Sequence, residues 1–454
     1  MAHSSDRVAS GTFSAAFLLL TAGLLVSALL LGGATREGEL LNAVVRLISL
    51  PVAMLAIWRL RLAGWSKALA VPIALLAAAA AIPLIQLVPL PPGLWQVLPG
   101  RDEIAEVYRL GLMPAPWLPP SLNPDGTWNA ALALLPAIAV LLASLTLGPE
   151  ARLGLVLAVA AVAIVALLLG SAQVLDGRDS PLRFYEVTNA SAAVGFFSNR
   201  NHQATLQLAA MPLIICAMMV WSARPGARPI PVLLVGGALF LLLAVGTALS
   251  ESRAGLLLVP PVGLACLLMV VHRTPIGLSR RTLMVSLAAI LIFALGAGAL
   301  VLKLMPDIAT SIMTDVRAKA LPIVAAETIR HLPFGSGLGT FDDIYRTQES
   351  PETLSNAFLN HAHNDYMELF LETGLFGIVL VILFLYWFGR RVVQFWRSDD
   401  EDHDLARAGT IVVGLILAHS LVDYPLRTAA LSATFALACG LLLTPVGQPD
   451  TVRC

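Results

Sequence analysis

Apolar residues fill long runs of this chain, and shorter polar stretches separate the runs. Most of the runs come close to the roughly 20 residues that a helix needs to cross about 30 Å of hydrocarbon. About twelve spans are predicted, at residues 13–31, 40–58, 68–90, 129–147, 152–171, 203–222, 230–249, 255–271, 282–302, 367–388, 408–422 and 428–445. The pattern predicts an all-α, polytopic integral membrane protein, with residues 1–454 as one membrane domain.

Composition supports this class and excludes others. Hydrophobic residues make up 57% of the chain and charged residues 13%, whereas soluble proteins carry roughly 25% charged residues. The formal net charge is zero, which does not indicate nucleic-acid binding. The first run is long for a signal peptide and lacks a clear cleavage site, so we predict a retained span. The cysteines show neither disulfide nor zinc spacing.

The distribution of positive charge predicts the orientation of the spans. Cytoplasmic loops carry an excess of Lys and Arg, and here that excess follows spans 2, 6, 8 and 10. We therefore expect both termini in the cytoplasm and the exits of odd-numbered spans outside. The residues concerned are Arg59, Arg61, Lys67, Arg224, Arg228, Arg273, Arg280, Arg281, Arg390, Arg391, Arg397 and Arg407.

This orientation places the two longest connections outside the membrane. Segment 91–128 is rich in Pro and Trp, which disfavour long helices and favour the headgroup level respectively. We interpret it as an interfacial loop. Segment 303–366, between spans 9 and 10, is predicted to be a large, partly helical loop that carries part of the site. Its glycines in Pro333–Gly339 allow a tight turn.

Four polar clusters stand at the predicted outward ends of the spans. Membranes penalise such residues, so a cluster at a span mouth is a site hypothesis. The clusters are Gly195–His202, Ser250–Gly255, the outer loop from Arg317 to His361–Glu368, and Asp423–Arg427. Because the charge pattern puts all four on one side, we expect them to line a single outward-facing polar chamber.

Each cluster also has a plainer interpretation. Arg200 could only reach the lipid headgroups, and Ser250–Arg253 could form a simple turn. The glycines of Pro333–Gly339 lack the lysine of a phosphate-binding P-loop, which favours a structural turn. His361–His363 offers two histidines without further ligands at matching spacing, so we expect no metal. Three residues that follow are predicted to cap and orient span 10: Asn364, Asp365 and Glu368.

The residue types in these clusters favour one kind of chemistry. Guanidinium groups match phosphate oxygens, so arginines at the membrane face can hold a diphosphate attached to a lipid. A neutral histidine can take a proton from an incoming hydroxyl. Together they predict sugar transfer from a lipid-diphosphate donor, without a nucleotide, metal or other cofactor.

The motifs resemble the O-antigen ligase/polymerase family of bacterial envelope proteins. His361–Tyr366 followed by Glu372–Gly377 is similar to the family's His-Asn and Glu-x-Gly-x-x-Gly signature, and Pro333–Phe341 precedes it in a large outer loop. Ser250–Gly255 resembles the Ser-x-Ser-Arg-x-Gly element, and Gly195–Asn201 resembles the Gly-x-Phe-x-Asn-x-Asn element. The resemblance covers roughly residues 190–380.

The resemblance implies a reaction and a place for it. A glycan on undecaprenyl diphosphate would be transferred, without metal, to an acceptor hydroxyl at the periplasmic face of the bacterial inner membrane. The acceptor would be lipid A-core or a growing glycan, in lipopolysaccharide or other polysaccharide biosynthesis. The residues implied are His363 as the base with His361 as the alternative, Arg253, Arg200 and Arg317 for the diphosphate, and Asn199, Asn201, Ser252, Asn364 and Asp365 in support.

Three questions stay open at this point. Arg317 is the weakest match, because the Trp that often follows it in the family is absent from Lys319–Pro322. A ligase and an O-antigen or exopolysaccharide polymerase share donor chemistry, and the sequence does not separate them. A transporter or flippase could also have twelve spans, but it would be expected to carry ionisable groups near mid-membrane and repeated halves. Arg46, in the predicted span 40–58, is the main ionisable residue inside a span.

Overall fold

The computed structural model describes residues 2–35, 38–64, 66–273, 316–349 and 359–444, and within them every regular element is a helix. The α-helices are α1 (Ala2–Leu31), α2 (Glu39–Ala63), α3 (Ala70–Gln86), α4 (Pro92–Trp95), α5 (Asp102–Leu110), α6 (Pro124–Ala133), α7 (Leu135–Thr146), α8 (Pro149–Asp176), α9 (Arg200–Ser222), α10 (Pro229–Leu249), α11 (Arg253–Arg273), α12 (Val316–Arg330), α13 (Phe341–Gln348), α14 (Asp365–Arg397), α15 (Asp404–His419) and α16 (Ala429–Leu441).

The predicted membrane architecture is confirmed in its class. In the described part of the chain, nine helical segments are long and apolar enough to cross a membrane: Ser14–Leu31, Glu39–Ala63, Lys67–Gln86, Pro124–Thr146, Pro149–Asp176, Arg200–Ser222, Ile230–Leu249, Arg253–Arg273 and Asp365–Arg397. The predicted span 282–302 lies outside the described residues. The two predicted spans at the C-terminal end are the shorter helices α15 and α16, with 16 and 13 residues.

Helix α9 is the centre of the bundle. It packs against α8, α10, α11 and α15, and most of its residues are buried whichever side they face. A helix surrounded by other helices can carry polar groups that lipid would not accept. The buried polar residues of α9 are Asn201, His202, Gln203, Thr205 and Gln207, and they begin at its first turn. The fold therefore keeps the polar end of α9 inside protein.

The Pro-rich connection 91–123 contains only the short helices α4 and α5. Trp95 is buried and donates a hydrogen bond through Nε1 to the carbonyl oxygen of Pro116 at 2.9 Å. Arg101 is also buried and donates to the carbonyl oxygens of Pro120 and, at 3.4 Å, Gly335. The two long connections predicted from sequence thus touch each other. Large apolar side chains on this segment remain exposed: Leu94, Val97, Leu110, Leu112 and Trp117.

Helix α14 contains a break that lets the glycine-rich turn pack against it. Gly374 has φ +59° and ψ −138°, a conformation that glycine tolerates better than other residues. At the break, the Leu375 amide donates to the Pro333 carbonyl oxygen at 2.9 Å and the Gly337 amide donates to the Glu372 carbonyl oxygen at 2.9 Å. The Glu372–Gly377 motif is therefore a docking point for the outer loop.

We expect Gly374→Ala to destabilise the protein by about 1–3 kcal/mol, because the positive φ strains any residue with a Cβ and that Cβ would meet the turn. An added Cβ would lie 2.7 Å from the Gly335 nitrogen and would also strike the Pro333 carbonyl oxygen. Gly389→Ala is the matched control, since nothing lies within 4 Å of its added Cβ in the same helix. Thermal unfolding in detergent measures both; equal melting temperatures would contradict the interpretation.

Candidate active site

The four predicted polar clusters meet at one end of the helices. Asn199 donates from Nδ2 to Asp423 Oδ2 at 3.3 Å, and Ser252 donates from Oγ to Asn201 Oδ1 at 2.8 Å. These contacts join the Asn-rich element to both the Ser-x-Ser-Arg element and the segment Asp423–Arg427. The outer loop joins through His363, which contacts Asp423. The four clusters are therefore connected by hydrogen bonds in one polar centre.

His363 and Asp423 form the central pair of this site. The His363 Nδ1 lies 2.9 Å from Asp423 Oδ1, and the Asp423 side chain is fully buried. Burial acts to raise the pKa of Asp423, but the hydrogen bond with His363 and the nearby His202 and His419 hold it below its usual range. The ionised carboxylate fixes the Nδ1–H tautomer, which leaves Nε2 as the proton acceptor. An imidazole held in this way can act as a general base.

The backbone of His363 has an unusual conformation. His363 has φ +50°, which is uncommon for a residue with a side chain and occurs often at functional sites. Asn364 follows as the N-cap of α14, accepting hydrogen bonds at Oδ1 from the amides of Tyr366 at 3.1 Å and Met367 at 3.0 Å. The histidine thus stands on the turn that begins a long helix.

His361 has its own carboxylate partner. Its Nδ1 lies 2.7 Å from Glu368 Oε1, and Glu368 Oε2 accepts a hydrogen bond from the Ala362 amide at 2.8 Å. Both candidate histidines are thus oriented in the same way, and both keep a small exposed fraction, 17% for His361 and 12% for His363. By this geometry His361 and His363 are both candidates for a base.

Tyr424 contacts both histidines and was not among the predicted site residues. Its ring centroid lies 4.3 Å from that of His361, 4.8 Å from that of His363 and 4.9 Å from that of the buried His202. Aromatic rings at these separations hold one another in place. Tyr424 therefore fixes the spacing of the His361–His363 segment against the first turn of α9.

Arg427 contacts three carboxylates in the first part of α14. Its guanidinium lies 2.8 Å from Glu372 Oε2, 3.4 Å from Glu368 Oε1 and 3.6 Å from Asp365 Oδ1. Burial acts to lower the pKa of Arg427, but these three carboxylates raise it above its usual range. The other Glu372 oxygen accepts a hydrogen bond from the Gly339 amide at 2.9 Å. One arginine thus ties α14 to both the glycine-rich turn and the last polar cluster.

The predicted capping role needs a correction. Asn364 caps α14, whereas Asp365 and Glu368 are turned away from the helix backbone. Asp365 Oδ2 accepts from Ser420 Oγ at 2.8 Å and from the Leu426 amide at 3.2 Å. Carboxylates at a helix start can bind free backbone amides, but here stronger partners from other elements compete for them. Their role is to join elements.

The predicted diphosphate-binding residues occupy two regions. Arg200 begins α9 and its NH1 lies 3.5 Å from Glu251 Oε2; Arg253 begins α11 and is exposed. The Asn199 side chain caps α9, accepting from the Asn201 amide at 2.9 Å, and Ser252 Oγ accepts from the Gly255 amide at 3.0 Å. Arg317 lies in the first turn of α12, and its side chain is outside the described part of the structure.

Sequence reasoning identified the clusters but missed four members of the site. Asp423, Tyr424 and Arg427 lie in the fourth cluster, and Gln86 lies at the end of the apolar α3. Gln86 donates to the Glu372 carbonyl oxygen at 2.8 Å and accepts from the Leu338 amide at 2.9 Å. A lone polar residue at the end of an apolar run was the available signal for Gln86. Within the described residues, no group of three or more His, Cys, Asp or Glu is arranged to hold a metal ion.

A comparison with known protein families agrees with the membrane helices and the polar motifs described above. Residues 238–384 match the family model described as O-antigen ligase. The matched region contains Ser250–Gly255 and His361–Gly377, whereas Asn199 and Asp423 lie outside it. No curated protein matches the chain significantly. The family match and the apolar helices support a membrane-embedded, O-antigen ligase-like chain, and this family implies glycosyl transfer of the ligase or polymerase type.

Proposed function

We propose that the chain transfers a glycan from undecaprenyl diphosphate to an acceptor hydroxyl at the periplasmic face of the bacterial inner membrane. The observation that carries the proposal is the pairing of His363 with the buried Asp423, which Asn199 joins to the element bearing Arg200. A base oriented by a carboxylate beside basic residues suits a transfer that needs both deprotonation and charge stabilisation.

In the proposed reaction, His363 Nε2 accepts the proton of the acceptor hydroxyl. The acceptor oxygen forms a bond to the anomeric carbon of the donor sugar, and the bond from that carbon to the diphosphate oxygen breaks. The electron pair leaves with undecaprenyl diphosphate. Asp423 stabilises the imidazolium that forms, and the chemistry proceeds with these side chains and no metal.

Arg253 and Arg200 are proposed to bind the leaving diphosphate. Each begins a helix, α11 and α9 respectively, and helix N-termini together with guanidinium groups favour anions. The contact between Ser252 and Asn201 holds these two helix starts together. Arg317, at the start of α12, is proposed as a third ligand supplied by the outer loop.

The proposed placement follows from the charge pattern of the loops. An excess of Lys and Arg after the even-numbered spans predicts cytoplasmic termini, which puts the His363 end of the helices in the periplasm. A donor carried on a membrane lipid presents its diphosphate at the membrane surface. The site is proposed to open where that surface meets the outer loop.

Ligation and polymerisation are both compatible with this donor chemistry, and they differ in the acceptor. Glycan analysis of a deletion strain separates the two. Loss of long chains from lipid A-core, with accumulation of lipid-linked polymer, would identify a ligase. A strain that retains only single repeat units would identify an O-antigen or exopolysaccharide polymerase. Normal glycans in that strain would contradict both assignments.

We expect Arg253→Ala to lower the transfer rate by about 10- to 100-fold, the effect of losing a charge-assisted contact to the diphosphate. The measurement is glycan transfer from purified undecaprenyl-diphosphate donor by the reconstituted protein. Arg228→Ala is the matched control, because Arg228 is an exposed arginine at the far end of α10. Equal rates for Arg253→Ala and the unmodified chain would overturn the diphosphate assignment.

A further inference from the structure

A cavity of about 410 Å³ lies beside the histidine segment. Its polar lining comes from α2 and α6, through Asn42, Arg46 and Asn129, and from the active-site side, through His361, Asp365 and Arg427. This polar lining includes two arginines, Arg46 and Arg427, and neither is a proposed diphosphate ligand. The cavity is therefore a candidate for a second ligand.

A second cavity, of about 350 Å³, continues the first among the helices. Asp365, Leu369 and Leu380 line both cavities. The second one is otherwise almost entirely apolar, with residues such as Leu76 of α3 and Phe384 of α14 in its walls. Because α3 and α14 belong to membrane-spanning segments, an alkyl chain in this cavity would lie at membrane depth. The pair of cavities has a polar end and an apolar end, as a lipid has.

Arg46 supplies the positive charge of the polar end on the α2 side. It lies within the span Glu39–Ala63, and its NH1 lies 3.4 Å from Asn129 Oδ1. Ionisable residues inside spans are rare, and they mark ligand paths. Across the cavity, the charge of Asp365 is partly balanced by Arg427 at 3.6 Å, and its Oδ2 accepts two hydrogen bonds. The hydrogen-bond partner of Arg46 is the neutral Asn129, and Glu39, earlier in the same helix, is an acidic group that acts on Arg46 from a distance. An anionic headgroup would therefore meet a guanidinium whose direct hydrogen bond is to an amide.

The two cavities are lined by different residues from those of the proposed donor site. His361 lines the first cavity, whereas His363, Arg200 and Arg253 line neither. The Tyr424 ring packs against both histidines. A lipid-borne acceptor needs a binding place distinct from that of the donor, and the first cavity offers one that ends at His361, the alternative base.

We propose that the paired cavities bind a lipid acceptor, with a phosphate-bearing headgroup at Arg46 and an alkyl chain in the apolar cavity. This inference rests on the proposed function for the role of acceptor. The binding itself does not, because it depends only on the charge of Arg46 and on the apolar walls. It can therefore be measured without any transfer.

The test uses the full-length protein in phosphatidylcholine nanodiscs that contain a photoreactive phosphatidic acid, with a diazirine near the end of its acyl chain. Parallel nanodiscs contain phosphatidylcholine with the same diazirine. We expect peptides of α3 and α16 to be labelled about tenfold more by phosphatidic acid, the preference given by one charge-assisted contact. Arg46→Ala should reduce this preference to about one.

Three variants keep the test specific. Arg46→Lys retains the charge and should retain the preference, which rules out a loss of folding as the cause. Arg61→Ala removes an exposed arginine from the last turn of the same helix and should have no effect. Arg253→Ala should also leave the labelling unchanged, even though it lowers transfer. The experiment therefore distinguishes a failure of the diphosphate assignment of Arg253 from a failure of the lipid-cavity proposal.

Three results would overturn the proposal. One is equal labelling by the two lipids in the unmodified chain, and another is an unchanged preference in Arg46→Ala. The third is loss of the label when undecaprenyl diphosphate is added, since that would make the cavities the donor's site. Labelling that persists with the donor present supports a separate acceptor site.

Discussion

His363→Ala is expected to lower the rate of glycan transfer by about 10²–10⁴-fold, the range that a positioned general base contributes. The reason is that no other group would take the proton from the acceptor hydroxyl at the position of Nε2. The protein should remain folded in the membrane, since the His363 side chain is partly exposed and its main contacts are Asp423 and Tyr424. The measurement is kcat with a purified lipid-linked donor.

Two variants separate catalysis from structure in this experiment. Asp423→Asn keeps the shape of the pair but removes the charge that fixes the tautomer, so kcat should fall with little change in KM. His403→Ala changes a histidine beyond the other end of α14, where its Nδ1 lies 2.9 Å from Ser398 Oγ, and should retain activity. If His361→Ala abolished transfer and His363→Ala did not, the base would be His361.

Arg427→Ala is expected to destabilise the protein by about 3–5 kcal/mol, because removal of one partner leaves buried charges uncompensated. Glu368 and Glu372 are almost completely buried, and Asp365 is 7% exposed, so none of the three gains water in exchange. The glycine-rich turn should loosen as well, since it depends on the orientation of Glu372. Thermal unfolding and limited proteolysis of the outer loop measure the two effects.

The matched control for this prediction is Arg109→Ala. Arg109 is exposed and paired with Glu106 one turn away on α5, and exposed pairs contribute little to stability. A second substitution should restore part of the loss: Glu372→Gln in the Arg427→Ala background removes one unpaired charge. A melting temperature for Arg427→Ala no lower than that for Arg109→Ala would contradict the buried-cluster interpretation.

The helices could be predicted from sequence because their signal is local. An apolar run either reaches the length of a span or does not, and α9 and α10 begin within three residues of their predicted starts. At the C-terminal end the helices lie near their predicted places, but α15 and α16, with 16 and 13 residues, are shorter than a full span. The prediction missed the break at Gly374, which depends on a turn arriving from residues 333–337.

The polar clusters could be located from sequence, but their pairing could not. The charge pattern predicted that the clusters share one side, and the contacts among Asn199, Asn201, Ser252, His363 and Asp423 bring them together. Asn199 and Asp423, for example, are joined by a hydrogen bond although they lie far apart in the sequence. Nothing in the spacing of residues within a cluster indicates which side chain of another cluster it meets.

The sequence by itself determined the membrane class, most of the spans and the residue types at their polar ends, since hydrophobic length and residue chemistry are properties of short segments. The tertiary structure decided which carboxylate orients which histidine, and it turned Asp365 and Glu368 away from capping. It also brought Arg46 of α2 to the cavity that His361 lines. These arrangements depend on helices that meet across the bundle, where burial and charge select partners that are distant in the chain.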